Sequence, residues 1–332
     1  MIFGMGTAGS RHARILRELI PQIFLVAVRR PGQPPADLAD VTVHGLAEAL
    51  PFSPDVAVLA GPAHTHVAQL WDLVQVGVAT LVEKPLSHEL DGVEEVLAAA
   101  REREVCVAVG YNLRCSPLLL EARDLSRSGA IGNLLSLRAD VGQELSTWRV
   151  GQNPRDSVSV RESTGGGALL ELSHELDLAL WIAGPVGHVT AETRRVGAYT
   201  EDVEDIAEVL ISHESGAISS VHVDLLARPA RRRLAITGEE GTIECDILTG
   251  SLRVGGNEGW EERQFEAGVG ATYQRQMQAF VHAVRTGSAV PADLSAGRDA
   301  LALAISARRS AETGRKEVAT GDGRHPVEGR TL

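Results

Sequence analysis

The chain has 332 residues, 44% of them hydrophobic, enough for two cores rather than one. Its 32 Lys and Arg stand against 44 Asp and Glu, a net charge of -12, which argues against a nucleic-acid or anionic-membrane partner and suits a soluble protein that handles small molecules. Cys106, Cys115 and Cys245 are too scattered for a disulfide framework or a metal site, no apolar run is long enough to cross a membrane, and the start has no signal-peptide pattern; the expectation is a cytoplasmic globular protein with no metal.

The first residues read Met1-Ile2-Phe3-Gly4-Met5-Gly6-Thr7-Ala8-Gly9, followed by an amphipathic stretch with Ile15, Leu16, Leu19 and Ile20. This is a strand, a Gly-x-Gly-x-x-Gly turn and a helix, the order a dinucleotide site requires. Gly4 permits the tight turn, Gly6 lets a pyrophosphate approach the backbone, Gly9 lets helix and strand pack closely, and Thr7 and Ala8 open the helix over the phosphates. Only three residues precede Gly4, which is short for a first strand and raises a truncated or mis-assigned start as an expectation. A second strand, 24–28, ends in Val28-Arg29-Arg30-Pro31 with no acid until Asp37. An arginine there can hold a 2′-phosphate, which tilts the expectation from NAD toward NADP; Arg29 and Arg30 as solvated loop charges with NAD bound is the competing reading.

The third strand, 56–60, runs into Ala60-Gly61-Pro62 and, at the start of the next helix, His66. The fourth, 79–82, stops abruptly at Glu83-Lys84-Pro85. Ligands of a parallel sheet lie beyond the carboxyl ends of its strands, so this lysine faces a crevice, and the proline ends the strand behind it. A helix over 90–103 leads to a fifth strand, 105–110. Strand and helix alternate throughout, the pattern of a doubly wound parallel sheet. From residue 134 the strands lengthen and alternate polar with apolar, at 135–141, 207–212 and 217–223, with a hairpin over 234–245. Period-two patterning predicts an antiparallel sheet with one covered face and one free for a subunit interface. Helices over 273–286 and 296–313 close the chain, and the tail from Gly321 is expected to be loosely held.

Between those strands lies Gly165-Gly166-Gly167, then a helical stretch ending at Gly184-Pro185. At about 100° per residue, Leu169, Leu172, Leu176, Leu180 and Ala183 form a core stripe, and Leu170, His174, Asp177 and Trp181 an adjacent one. His174 beside Asp177 at i, i+3 suits a general acid/base, with a structural core histidine as the alternative.

Together Gly4-x-Gly6-x-x-Gly9, Ala60-Gly61-Pro62 with His66, Glu83-Lys84-Pro85, Gly165-Gly166-Gly167 and His174-x-x-Asp177 resemble the Gfo/Idh/MocA family, the glucose-fructose oxidoreductase and inositol dehydrogenase group. The resemblance runs from Gly4 to the last helix. It implies an α/β protein: a Rossmann doubly wound parallel sheet in residues 1–111, and a C-terminal α/β domain in 112–332 with a large, mostly antiparallel open sheet for substrate binding and for a homodimer or homotetramer. It implies hydride transfer between a nicotinamide cofactor and a secondary hydroxyl of a sugar, sugar derivative or cyclitol. By position, Lys84 would hold the reacting hydroxyl and touch the nicotinamide ribose, His174 would be the acid/base, and Asp177 would orient its ring. Glu83 and His66 join the Gly turn, Ala60, Gly61, Pro62, Arg29 and Arg30 as cofactor contacts. Tyr111, Asn112 and Arg114 at the domain junction become substrate contacts; Trp148 could stack on a sugar ring and Arg155 could bind a phosphate or carboxylate. One position departs from the pattern: many relatives have an Asp four residues before the histidine, where this chain has Leu170, and its acid is Glu171. On one continuous helix Glu171 lies about 60° from His174, away from Asp177. The same scaffold also hosts glycosidases that keep NAD bound and non-catalytic sugar sensors, the two alternatives to a dehydrogenase.

Overall fold

A computed structural model describes residues 1–148, 153–196 and 202–319. Arg149 and the tail from Gly321 lie outside the described residues.

Short apolar strands, buried on both faces, build the first sheet. They are β1 (Ile2–Phe3), β2 (Val26–Val28), β3 (Val41–Val43), β4 (Val56–Leu59), β5 (Ala79–Val82) and β6 (Val107–Val109). All pairs are parallel, in the order β3-β2-β1-β4-β5-β6. That is the Rossmann order, with its crevice where the chain reverses direction at β1 and β4. Helices α1 (Thr7–Leu19), α2 (Leu46–Ala49), α3 (His66–Gln75) and α4 (Val93–Glu102) connect these strands. The three-residue β3 has too few apolar positions to register as a strand in the sequence, and it is the one strand of this sheet that the periodicity misses.

After α5 (Pro117–Arg127), the second sheet has eight strands. These are β7 (Leu134–Gly142), β8 (Val186–Arg194), β9 (Ile206–His213), β10 (Ile218–Asp224), β11 (Arg231–Gly238), β12 (Thr242–Asp246), β13 (Ser251–Gly256) and β14 (Gly259–Gln264). Their order is β14-β13-β12-β11-β7-β10-β9-β8, and only the central pair β7–β10 is parallel. The hairpin read from the sequence is β11–β12, with Ile236 opposite Ile243. Sequence patterning misses β8, β13 and β14, whose Gly, Thr and charged residues carry little alternation; all six residues of β14 are exposed or half-buried. Inward positions such as Leu137, Ala139, Val209, Val221 and Ile236 pack beneath the helices.

The Gly-rich segment is two helices, α6 (Ala168–Glu171) and α7 (His174–Ala183), not one. Leu172 leaves helical geometry at φ -108°, ψ 28°. The helical wheel drawn through 169–183 therefore fails between Glu171 and His174. The last helices, α8 (Gly270–Thr286) and α9 (Leu294–Thr313), return to the first sheet. Met277 and Phe280 of α8 share a core with Ile2, Leu16, Val58 and Ala108, and the Arg11 guanidinium lies 4.0 Å over the Tyr273 ring. The boundary expected at residue 112 puts α8 with the second domain in sequence, whereas its apolar face packs on the first.

Candidate active site

The Gly-rich turn follows β1. Gly4 has φ +80°, and a Cβ there would lie 2.9 Å from the carbonyl oxygen of Ala60. A Cβ on Gly9 would overlap the carbonyl oxygen of Gly4, while one on Gly6 would meet nothing within 4 Å. Two glycines thus close the turn, and the third leaves open space over the start of α1. Thr7 is exposed and Ala8 half-buried there. The first turn of α1 has no side-chain cap and no acidic residue, so its free N–H groups suit an anionic pyrophosphate.

At the ends of β4 and β5 the expected cofactor contacts divide. Ala60, Gly61 and Pro62 line the turn. His66 is buried, with Nδ1 3.1 Å from the Pro85 carbonyl and Nε2 3.0 Å from that of Gly61. Burial holds the ring below its ordinary value, so it is neutral and braces the two turns by donating to one of them. Glu83 points its carboxylate inward to His12 Nε2, 2.7 Å away. These side chains are engaged by the protein itself, His66 between the two turns and Glu83 with His12. Arg29 is likewise engaged within its own loop, with Nη1 donating to the Pro34 carbonyl and Nη2 to Gln33; Arg30 is exposed.

Lys84 follows, with a cis peptide to Pro85. Its ammonium donates to the carbonyl of Glu171 at 2.7 Å and lies 3.6 Å from the same residue's carboxylate. The helix break makes this possible. In a continuous helix the Glu171 carbonyl would accept from the amide of Glu175; here that amide turns to Leu172, and the carbonyl serves Lys84. His174 opens α7 immediately after the break. It is buried, its ring meets Tyr111 edge-on at 5.5 Å, and neither nitrogen has a hydrogen bond; Nδ1 is sealed inside, leaving Nε2 as the nitrogen with an opening. Burial, and then the charges of Arg232 and Lys84, hold His174 well below its ordinary value near 6.5. It is a neutral imidazole at physiological pH. Among the described residues it is the only buried histidine with both nitrogens unbonded, since His12, His66 and His213 all have partners.

Asp177 does not reach His174. Both its oxygens accept from Arg114, Nε at 3.0 Å and Nη2 at 2.7 Å, and Arg114 also donates to the Pro291 carbonyl. Burial pushes this carboxyl up to about 6 against the pull of Arg114. Glu175 makes a matching fork with Arg232 of β11. Asp177 as the orienting acid is therefore corrected: it pairs with Arg114, and together they pin α7. Asn112, almost fully buried, donates to Thr272 on α8. Tyr111 is fully buried with its hydroxyl 3.4 Å from Ser173, and burial pushes its phenol up. Tyr111 forms the wall against His174, and Asn112 keeps its Oδ1 buried without a hydrogen-bond partner. Trp148 is half-buried against the core with its indole N–H sealed, and Arg155 is exposed. Among the described residues no group of three or more His, Cys, Asp or Glu is arranged to hold a metal.

Residues 1–111 match the Gfo/Idh/MocA family model described as an oxidoreductase family with an NAD-binding Rossmann fold, and residues 119–244 match the C-terminal domain model of the same family. The chain belongs to the Gfo/Idh/MocA family. It is an oxidoreductase with an NAD-binding Rossmann domain. It is 30% identical over 210 residues to the D-apiose dehydrogenase of Paraburkholderia graminis, a match that spans 63% of this chain and about half (52%) of that protein. Against inositol 2-dehydrogenase 2 of Saccharopolyspora erythraea it is 27% identical over 328 residues, 94% of this chain and 93% of the other. Among solved structures, GenD2 from gentamicin A biosynthesis, in complex with NAD, superposes with a TM-score of 0.81 at 28% identity, over 96% of this chain and 95% of that one. Levoglucosan dehydrogenase, in complex with NADH and levoglucosan, reaches 0.85 at 20% identity, over 96% and 98%, a likeness of fold.

Within this family member, sequence reasoning passed over His12 and Arg232 and left Glu171 without a partner. His12 lies on the apolar face of α1 with Ile15 and Leu16, and a lone polar residue on such a face signals a buried partner. Lys84 carries a signal of its own: it is one of two lysines among the chain's 32 basic residues. Arginine supplies nearly all structural charge, so a lysine at a strand end stands out as a group chosen for a compact ammonium.

Proposed function

We propose that this protein is an NAD(P)-dependent dehydrogenase acting on a secondary hydroxyl of a sugar, sugar derivative or cyclitol. The observation that carries the reading is His174: a buried, neutral and unbonded imidazole one residue beyond the Leu172–Ser173 break, with Lys84 held by Glu171 on the other side of that break.

The nicotinamide dinucleotide fits the open space over Gly6 and the uncapped start of α1, with Thr7, Ala8, Ala60, Gly61 and Pro62 around it. When bound, it supplies the hydride acceptor, or the donor in reverse. The chain's own residues handle the oxygen. Neutral His174 takes the hydroxyl proton at Nε2 and returns it in the other direction. Lys84 donates a hydrogen bond to that oxygen and stabilises the negative charge that develops on it. Glu171 holds the ammonium in place. Arg114–Asp177 and Arg232–Glu175 fasten α7 to its neighbours.

The names of the relatives, inositol and apiose dehydrogenases, support a polyol substrate. On the cofactor, Arg30 is the exposed cation at the end of β2, in a stretch without a carboxylate, and supports acceptance of NADP beside NAD. The outward face of the second sheet carries Arg138, Asp140, Glu208 and Leu210, and supports assembly into a homodimer or homotetramer. A boundary at 112 and a cytoplasmic location complete the proposal.

The test is a panel of inositols, pentoses, hexoses and sugar nucleotides offered with NAD and NADP in parallel, followed by nicotinamide absorbance. Reduction of cofactor by a polyol supports the reading. Cleavage of a glycoside with no net change in absorbance, or no turnover with any polyol, would sink it.

A further inference from the structure

His12 stands on α1 beyond the Gly-rich turn and is completely buried. Its Nε2 lies 2.7 Å from Glu83 Oε1, joining residues 71 apart in sequence. Burial alone would push Glu83 up, but the hydrogen bond from His12 and the charges of His12, Lys84 and Arg11 outweigh it and bring the carboxyl below its ordinary value. Glu83 is therefore an acceptor only, and the shared proton stands on Nε2. The second oxygen, Oε2, accepts from the Lys84 amide at 3.3 Å. It also fills the space where a Cβ on Gly110 would stand, 2.9 Å away. The carboxylate is thus wedged between an imidazole on one side and the Lys84 backbone and Gly110 on the other. His12 occupies a position on the apolar face of α1 that a leucine could fill with no polar group to desolvate, so the pair needs a reason beyond packing.

We propose that His12 is a positioning residue for Lys84: it clamps Glu83, and the clamp sets the backbone from which the lysine reaches the reacting oxygen. This rests on the reading of Lys84 as the group that holds that oxygen. Because α1 begins at the Gly-rich turn, one rigid helix carries both the dinucleotide site and the clamp.

The two lysines make the test direct. Side-chain labelling of lysine in the 332-residue chain gives two ammonium signals, and Lys84 is assigned by its loss in K84R. In H12A and E83Q the Lys84 signal moves while that of Lys316 stays. In H12Q, whose amide N–H reaches toward Glu83, it returns. G110A, whose methyl presses on both the Glu83 carboxylate and the Lys84 amide, moves it without touching His12. With myo-inositol as the probe polyol, kcat falls about tenfold or more in H12A and recovers in H12Q, while the NADH dissociation constant stays within about threefold of wild type in both. An unmoved Lys84 signal in H12A and E83Q, with only a lower melting temperature, would make His12 a core filler and overturn the proposal. A tenfold or larger loss of NADH affinity in E83Q would make Glu83 a cofactor contact and overturn it too. If myo-inositol is not oxidised by the wild type, the lysine signals still decide, so failure of the clamp and failure of the dehydrogenase reading are separate results.

Discussion

Two polar regions meet at Lys84 and treat their side chains in opposite ways. On the α1–β5 side each carboxylate and imidazole is tied: His12 to Glu83, and His66 to the carbonyls of the β4 and β5 turns. On the α6–α7 side the carboxylates are tied, Asp177 to Arg114 and Glu175 to Arg232, but the imidazole of His174 is left open. The first region is all placement. The second surrounds one unbonded base with rigid pairs, which keeps its lone pair available and its orientation set. The buried charges on both sides are paired, and the proposed chemistry rests on the imidazole that is not.

The largest expected effect tests the open side. H174A and K84A should each lose about 10²- to 10⁴-fold in kcat, with NADH affinity unchanged by fluorescence titration. Full turnover in either variant would remove that residue from the mechanism. D177A should show the reverse pattern. It strands the buried Arg114 guanidinium, so denaturant unfolding should report a loss of about 3–5 kcal/mol, while the folded fraction keeps most of its activity. A D177A enzyme of normal stability and collapsed kcat would return Asp177 to the role of orienting His174. Next in size, E171Q keeps the carbonyl that Lys84 uses and removes only the charge. A drop of about tenfold in kcat/KM, roughly 1.4 kcal/mol, is expected.

The pH profile follows from the same contrast. His174 is held below its ordinary value, so its basic form persists as pH falls, and the acid limb of kcat/KM for polyol oxidation should lie below 6.5. A limb at or above that value would contradict a desolvated base. For stability, both His174 and Glu83 have folded-state values below their unfolded ones. Each contributes stability that is present above its ordinary value, near 6.5 and 4.5, and lost as pH falls through the folded one. Asp177, raised to about 6, works the other way, favouring the fold at low pH and losing that contribution as pH rises from 3.8 to about 6. Acid unfolding should therefore steepen in D177N, where the opposing group is gone. The smallest effect concerns the exposed edge: R30A should raise the KM for NADP by no more than about fivefold, the scale of a solvent-exposed ion pair, and leave NAD unaffected.

Much of this was legible in the residues. Gly4 and Gly9 declare a turn because only a residue without a Cβ fits the contacts with Ala60 and with Gly4 itself, and Gly6 between them leaves open space. Lys84 and His174 stand out as candidates from their places at a strand end and after a glycine run, and the fold brings them to the two sides of one helix break. The helix break was not legible. Leu169 to Ala183 has no Gly or Pro to mark a break, and the interruption is supported by a lysine 87 residues upstream that takes the Glu171 carbonyl. For the same reason proximity at i, i+3 suggested a His174–Asp177 pair, whereas Asp177 turns to an arginine 63 residues away whose planar fork offers two charge-assisted hydrogen bonds in place of one.

The sequence by itself determined the element types, the Rossmann turn and the residue types at the strand ends, because those depend on backbone sterics and on periodicity over a few residues. Only the tertiary structure decided which buried charged side chains pair with each other and that the His174 imidazole is left without a hydrogen bond. Desolvation makes that choice after the chain has packed, when each buried charge must find the partner that packing has brought within reach.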